Sequence, residues 1–189
     1  MKLLVGLGNP GAEYRDTRHN VGFRVADLLL ERGRGSWREF RDRHEAGLEL
    51  AGRRLLLLKP MTFMNLSGPP VQAALAYREI PPADCLVVCD DMALPLGALR
   101  LRAGGSSGGH HGLDSLIAAL GTTDFPRLRI GIGAPPGEGA SHVLGRFQTG
   151  ERLQVEAAVL RAAEAAEVWM SDGLDWAQTL FNTPNTPAS

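Results

Sequence analysis

Residues 3–23 have the sequence LLVGLGNPGAEYRDTRHNVGF, and this stretch decides how the fold begins. The apolar residues 3–7 predict a buried strand, and residues 6–11 fit the pattern G-x-G-x-x-G. In a dinucleotide-binding turn the helix begins at the glycine loop, and a strand ending in an acidic residue follows about 20 residues later. Here a polar run from Glu13 to His19 intervenes, and residues 20–32 predict a helix instead. We therefore interpret the glycines as a tight turn that places Asn9 at the carboxyl tip of the first strand.

The rest of the chain alternates predicted strands and helices. Further strands are predicted at residues 44–50, 53–58, 85–89, 98–102 and 128–132, and helices at 71–78, 111–120, 151–170 and 174–180, with a Gly/Pro loop at 133–141. Strands that alternate with helices favour an α/β fold. We expect a single-domain three-layer sandwich over residues 1–182, with a mixed, mostly parallel twisted sheet flanked by helices, and a frayed tail at 183–189.

Length, composition and charge indicate what class of protein this is and where it acts. The chain has 189 residues, is 44% hydrophobic and carries a net charge of −1. We find no apolar run of about 18 residues and no pattern of a signal peptide, so we expect a cytoplasmic protein, and we expect a monomer. Cys85 and Cys89 would lie on one face of a strand, roughly 13 Å apart, which is too far for a disulfide.

A chain with this charge has no overall field that attracts nucleic acid, so any such role needs a local basic patch. Three arginine pairs are candidates for that patch: Arg15 with Arg18, Arg100 with Arg102, and Arg127 with Arg129. The second and third pairs would each place both guanidinium groups on one face of a strand.

Two other catalytic patterns are weaker. Residues 104–108, GGSSG, fit the nucleophile elbow G-x-S-x-G, with Asp124 and His142 as nominal partners. In a true elbow the helix starts at the serine, whereas here further glycines and histidines come first. A flexible loop that brings backbone N–H groups near a ligand explains this stretch better. The five histidines lack the spacing of a metal motif, and we expect no metal cofactor.

Polar residues follow several predicted strands. Asn9, Asn65 and Asp90 each come at or after a strand end, and His19 follows Asn9 closely. If the topology brings these ends together, His19 with Asp90 forms a general base with an orienting carboxylate, and the asparagines suit a carbonyl or an oxyanion. That set indicates attack by water on an ester or amide. The alternative is that these residues only cap helices or stabilise turns.

Four stretches together resemble bacterial-type peptidyl-tRNA hydrolases. They are VGLGNPGAEYRDTRHNVGF, KPMTFMNLSGPPV, DDMALPLGALRLRAGGSSGGHHGL and FPRLRIGIGAPPG followed by HVLGRF, in the order and spacing of that family. The resemblance implies hydrolysis of the ester that joins a peptide to the 3′ end of tRNA, without a metal.

The resemblance also implies a role for individual residues. His19 would activate water and Asp90 would orient His19, while the Gly/Pro loop and HVLGRF would form a lid. The implied substrate-binding residues are Asn9, Tyr14, Phe63, Met64, Asn65 and His111, and those that grip a tRNA phosphate are Arg102 and Arg129.

One position departs from the family pattern. The family has G-G-H-N-G where this chain has Gly108-Gly109-His110-His111-Gly112, so His111 replaces an asparagine. Histidine is bulkier and, as a residue type, titrates near neutral pH. Either His111 serves as a substitute hydrogen-bond donor, which we favour, or activity is reduced or more dependent on pH. A non-enzymatic alternative is an RNA-binding member of the superfamily, which we expect to be more basic than this chain.

Overall fold

The computed structural model describes residues 1–50, 52–134, 137 and 139–182. The strands among these residues form one seven-stranded sheet. Its strands are β1 (Lys2–Gly6), β2 (Arg38–Glu39), β3 (Arg43–Leu50), β4 (Arg53–Pro60), β5 (Cys85–Asp91), β6 (Leu99–Arg102) and β7 (Arg127–Gly131). Their order across the sheet is β2-β3-β4-β1-β5-β7-β6. The central strands β4, β1, β5 and β7 run parallel, and the outer strands pair antiparallel with them or with each other.

Helices cover both faces of this sheet. They are α1 (Val21–Arg32), α2 (Gly68–Tyr77), α3 (His111–Leu120), α4 (Gly139–Leu144), α5 (Arg152–Ser171) and α6 (Leu174–Phe181). One hydrophobic core joins α1, α5 and α6 to one face, and a second core joins α2 and α3 to the other. The predicted α/β three-layer sandwich with a mixed sheet is therefore confirmed.

Two glycines let α1 lie close against the sheet. A Cβ at Gly6 would collide with the carbonyl oxygen of Gly22, and a Cβ at Gly22 would collide with the backbone of Leu7 and Val88. Past the end of β1, the Leu7 N–H donates to the Val88 carbonyl at 3.0 Å, so the chain stays joined to β5. This close contact places the start of α1, and the residues just before it, directly above the carboxyl ends of the strands.

The structure corrects two local predictions. Residues 133–141 were expected to be a loop, but α4 begins within them at Gly139. The two-residue edge strand β2 was not predicted, because two exposed residues carry no hydrophobic alternation. The predicted tail at 183–189, residue 51 of the β3–β4 turn and residues 135, 136 and 138 of the loop lie outside the described residues.

Cys85 and Cys89 are buried and free, as predicted. Burial raises the pKa of the Cys89 thiol to about 12, so it stays protonated at neutral pH. Among the residues that the structure describes, no helix combines the length and apolar character that a membrane span requires.

The outer edge of β6 is covered by side chains of α6 and the residue after it. Asn182 accepts a hydrogen bond from the Leu101 N–H at 2.6 Å and donates to the Leu101 carbonyl at 3.0 Å. Gln178 donates to the same carbonyl at 3.1 Å. These amides take the place of a neighbouring strand along that part of the edge.

Candidate active site

The carboxyl ends of the parallel strands surround a cavity of about 580 Å³. The turn after β1, the segment after β4, the end of β5 and the loop before α3 each supply part of its wall, and α4 supplies another part. Of the residues predicted from the sequence, the lining includes Asn9, His19, Phe63, Met64, Asn65, Asp90, His111 and Arg129. Parallel α/β sheets commonly place ligand sites at this edge.

Two histidines bind one carboxylate oxygen at the centre of the cavity. His19 Nδ1 lies 2.7 Å from Asp90 Oδ1, and His110 Nε2 lies 2.9 Å from the same oxygen. All three side chains are buried. His19 comes from the short 3₁₀ turn Arg18–Asn20, and His110 is the N-cap of α3.

The backbone around His110 fixes which of its nitrogens carries the proton. The Gly112 and Leu113 N–H groups donate to His110 Nδ1 at 3.1 and 3.3 Å, so that nitrogen is unprotonated. We infer that His110 Nε2 bears the hydrogen and donates it to Asp90. His19 has no such contact, and the described residues offer its Nε2 no hydrogen-bond partner.

Asp90 remains a carboxylate in this setting. Burial alone would raise the pKa of Asp90, but the hydrogen bonds that His110 and His19 donate to its carboxylate hold that pKa well below its usual range. Sequence reasoning identified Asp90 and His19 but missed His110. Its position between the Gly/Ser loop and the predicted start of a helix was the one available signal.

Asn9 is held by contacts on both sides. The Asn20 side chain accepts from the Asn9 N–H at 2.9 Å and donates to the Asn9 carbonyl at 2.9 Å. Asn9 Oδ1 in turn accepts from the Met64 N–H at 2.7 Å. With its oxygen occupied, the Asn9 side chain has its NH₂ group to offer the cavity as a donor. Asn20, a further residue that the sequence did not indicate, locks this arrangement.

The segment after β4 forms a mostly apolar wall. Met64 is buried, whereas Phe63 is 59% exposed and Asn65 is also exposed. Tyr14 lies outside the cavity lining but packs edge-on against Phe63, with ring centroids 6.5 Å apart. The exposed aromatic rim therefore consists of Tyr14 and Phe63 together.

His111 lies at the mouth of the cavity. Its side chain is 78% exposed, and its Nδ1 is 3.6 Å from a carboxylate oxygen of Asp114. The adjacent His110 is buried, so the two neighbouring histidines serve different environments.

The predicted arginine pairs separate into buried and exposed members. Arg127 is buried and donates to the carbonyls of Gly105, Ser106 and Thr123, so it anchors the Gly/Ser loop rather than offering a basic surface. Arg129 donates to the Ser106 and Ser107 carbonyls at 3.0 and 3.1 Å and pairs with Asp91 at 3.2 Å.

Arg100 and Arg102 are exposed on the same face of the sheet. They carry no ion pair or side-chain hydrogen bond in the described part of the chain. Arg18 is buried and pairs with Glu151 at 2.7 Å, so the patch proposed for Arg15 with Arg18 is wrong for Arg18.

The competing catalytic patterns do not assemble. His142 bonds the carbonyls of Ile132 and Gly133 and makes no hydrogen bond with Ser106 or Asp124, so no serine triad forms in the described residues. His19, Asp90 and His110 have ligand atoms within 4.8 Å of one another and are the one set of described residues that could hold a metal ion. One ring nitrogen of each histidine, however, already forms a hydrogen bond with Asp90.

Comparison with known proteins gives a consistent result. Residues 3–188 match the family described as peptidyl-tRNA hydrolase. A peptidyl-tRNA hydrolase of Syntrophomonas wolfei is 45% identical over 183 residues, spanning 96% of this chain and 100% of the relative. One from Nocardia farcinica is 48% identical over 93% of each chain. The crystal structure of peptidyl-tRNA hydrolase from Acinetobacter baumannii has a TM-score of 0.92 and 32% identity, covering 97% of this chain and 95% of that one.

Proposed function

This chain belongs to the peptidyl-tRNA hydrolase family and hydrolyses peptidyl-tRNA, and from that premise we propose how its residues perform the reaction. His19 takes a proton from water, which attacks the carbonyl carbon of the ester between the peptide and the 3′ end of tRNA. The ester bond to the tRNA oxygen then breaks, and the proton returns to that oxygen. The observation that carries this proposal is the direct bond from His19 to the buried Asp90.

The hydrogen bond to Asp90 sets the tautomer of His19. Asp90 is ionised and can only accept, so His19 Nδ1 carries a hydrogen and Nε2 has a free lone pair. A neighbouring carboxylate also stabilises the imidazolium that forms when water gives up its proton. His110 supports the same carboxylate from the other side and keeps it charged and fixed.

The asparagines and the apolar wall hold the peptide. Asn9 donates its NH₂ group toward the carbonyl oxygen, where negative charge develops in the transition state. Asn65 contacts the peptide backbone, and Phe63 and Met64 pack against its side chains. These are neutral groups, and a free α-ammonium would be poorly accommodated among them. The site therefore favours a blocked α-amino group.

The tRNA is bound by arginine. Arg102 is exposed and offers its whole guanidinium group to a phosphate, whereas Arg129 supports the Gly/Ser loop and presents its remaining edge to the cavity. Tyr14 lies beside the terminal nucleotide, and His111 donates a hydrogen bond where the family has asparagine. Each role is assigned to a residue of this chain, and we propose that the protein acts as a monomer, in the cytoplasm and without a metal.

The first experiment is release of N-acetyl-amino acid from N-acetyl-aminoacyl-tRNA in the presence of a chelator. We expect rapid release, with the unblocked aminoacyl-tRNA cleaved much more slowly. Equal cleavage of both substrates would contradict the role of the neutral asparagines. Loss of cleavage with chelator, restored by a divalent ion, would contradict the metal-free mechanism. Binding of tRNA without any cleavage would favour the RNA-binding alternative.

A further inference from the structure

A second cavity, of about 290 Å³, lies behind the segment that carries His19. Three arginines line it from three separate elements: Arg24 in α1, Arg146 after α4, and Arg152 at the start of α5. We refer to them as the arginine trio. The remaining lining residues are Asp16, Phe147, Val155 and Glu156.

The guanidinium groups of the arginine trio are uncommitted. None of them forms an ion pair or a side-chain hydrogen bond with any residue that the structure describes. Their neighbour Arg18 differs, because it pairs with Glu151 and packs over the Phe147 ring at 4.7 Å. Arg18 is thus held by partners within the fold, whereas Arg24, Arg146 and Arg152 line the same cavity without a partner among the described residues.

The chemistry of the lining suits an oxyanion. Phe147 and Val155 are buried and give the cavity an apolar floor, which strengthens electrostatic attraction near it. Asp16 and Glu156 offset two of the three positive charges, so the lining keeps a net charge of +1. Guanidinium groups bind phosphate through paired N–H donors, and groups from three elements can surround it.

We propose that the arginine trio binds a backbone phosphate of the tRNA, beyond its 3′-terminal trinucleotide. This inference rests on the proposed function. Thr17 and Arg146 form a β-bridge, and the Arg18 N–H donates to the Gly145 carbonyl at 2.9 Å, so the cavity adjoins the segment that holds His19. A free phosphate ion offers the same chemistry, and the experiment must separate the two sources.

The test compares two substrates that share the reacting ester. One is N-acetyl-aminoacyl-tRNA, and the other is the same N-acetyl-amino acid on the 3′-terminal trinucleotide. In the double variant Arg24→Gln/Arg152→Gln we expect KM for the tRNA to rise about tenfold with kcat unchanged. The salt dependence of kcat/KM should become shallower by roughly one counterion. The trinucleotide ester should be unaffected, and Asp16→Asn should lower KM for the tRNA. Arg53→Gln is the matched control, because Arg53 is exposed at the start of β4, at the end of the parallel strands opposite to their carboxyl ends.

Three outcomes would overturn the proposal. The first is an unchanged KM for tRNA in the double variant. The second is an equal loss with the trinucleotide ester, which would mean that the arginines act through the His19 segment. The third concerns inorganic phosphate at constant ionic strength, which should compete with tRNA less strongly in the double variant than in the wild type, where Arg102 and Arg129 act together with the arginine trio. Weaker competition without a change in KM for tRNA would assign the cavity to free phosphate.

The failure of the proposed function has a different signature. In that case the wild type would cleave neither ester, and filter retention of uncharged tRNA would still test the arginine trio. Reduced retention in the double variant, but not in Arg53→Gln, would support the phosphate site independently of catalysis. Equal retention in all three proteins would overturn it.

Discussion

His19 and His110 approach the same oxygen of Asp90 at 2.7 and 2.9 Å, yet their surroundings make them different. His110 is fixed at its far nitrogen by two backbone N–H groups at the start of α3. Among the described residues His19 bonds only the carboxylate, so its other nitrogen is available to a substrate or water. The two histidines therefore differ in the nitrogen that faces away from Asp90. In His19, the proposed base, the described residues leave that nitrogen without a partner, whereas in His110 it is hydrogen-bonded to the backbone and the ring only positions the carboxylate.

Replacement of His19 should have the largest effect. His19→Ala removes the proposed base, and we expect kcat to fall by about 10³–10⁴-fold, near the upper range for general-base catalysis. Binding of tRNA, measured by filter retention, should change little. A variant that loses tRNA binding together with turnover would contradict the assignment of His19 as base.

Asp90→Asn should come next. The amide is similar in size but uncharged, so it neither stabilises an imidazolium nor enforces the tautomer of His19. We expect kcat to fall by about 10²–10³-fold with KM nearly constant, as measured with N-acetyl-aminoacyl-tRNA. A fall in kcat of less than about threefold would mean that the Asp90 carboxylate takes no part in the mechanism.

His110→Asn separates the two roles of His110, which are its contact with Asp90 and the cap of α3. Asparagine can still cap α3 but is too short to reach Asp90 as the imidazole does. We expect kcat to fall about tenfold with thermal stability largely kept. His110→Ala, which removes the cap as well, is the paired variant and should be less stable. A loss of activity as large as that of His19→Ala would mean that the two histidines share the role of base.

Asp90 also makes stability depend on pH. Its folded pKa lies below the unfolded value of about 3.9, so its contribution is complete above that value and is lost as pH falls through the folded pKa. The free energy of unfolding should drop below about pH 4, by about 1.4 kcal/mol for each pH unit that separates the two pKa values. Urea denaturation should show a shallower drop for Asp90→Asn. Identical acid limbs for the two proteins would contradict this account.

His111→Asn should have the smallest effect. His111 is exposed at the mouth of the cavity and makes no bond to Asp90, so restoring the family residue should change kcat/KM by less than about threefold. Steady-state kinetics at several pH values would check this. A gain of tenfold or more would show that His111 limits the enzyme.

The sequence alone predicted the strand and helix pattern, because long apolar stretches and Gly, Pro and cap residues mark those elements locally. It also predicted that Asn9, His19 and Asp90 lie together, because polar residues at the ends of parallel strands converge at one edge of the sheet. It did not predict the roles of His110 or Asn20, because neither residue follows a predicted strand: His110 reaches Asp90 from the start of α3, and Asn20 reaches Asn9 from the start of α1. Arg18 and Arg127 were wrongly predicted to lie in basic surface patches, because a sequence does not distinguish a buried arginine from an exposed one.

The side chains that complete the edge of β6 carry a consequence for handling of the protein. Asn182 and Gln178 occupy the backbone groups of Leu101 that another chain could otherwise pair with. A shortened chain ending before Gln178 would leave that edge open, and we expect it to self-associate through strand addition at high concentration. We therefore expect the last turn of α6, together with Asn182, to protect the molecule from aggregation.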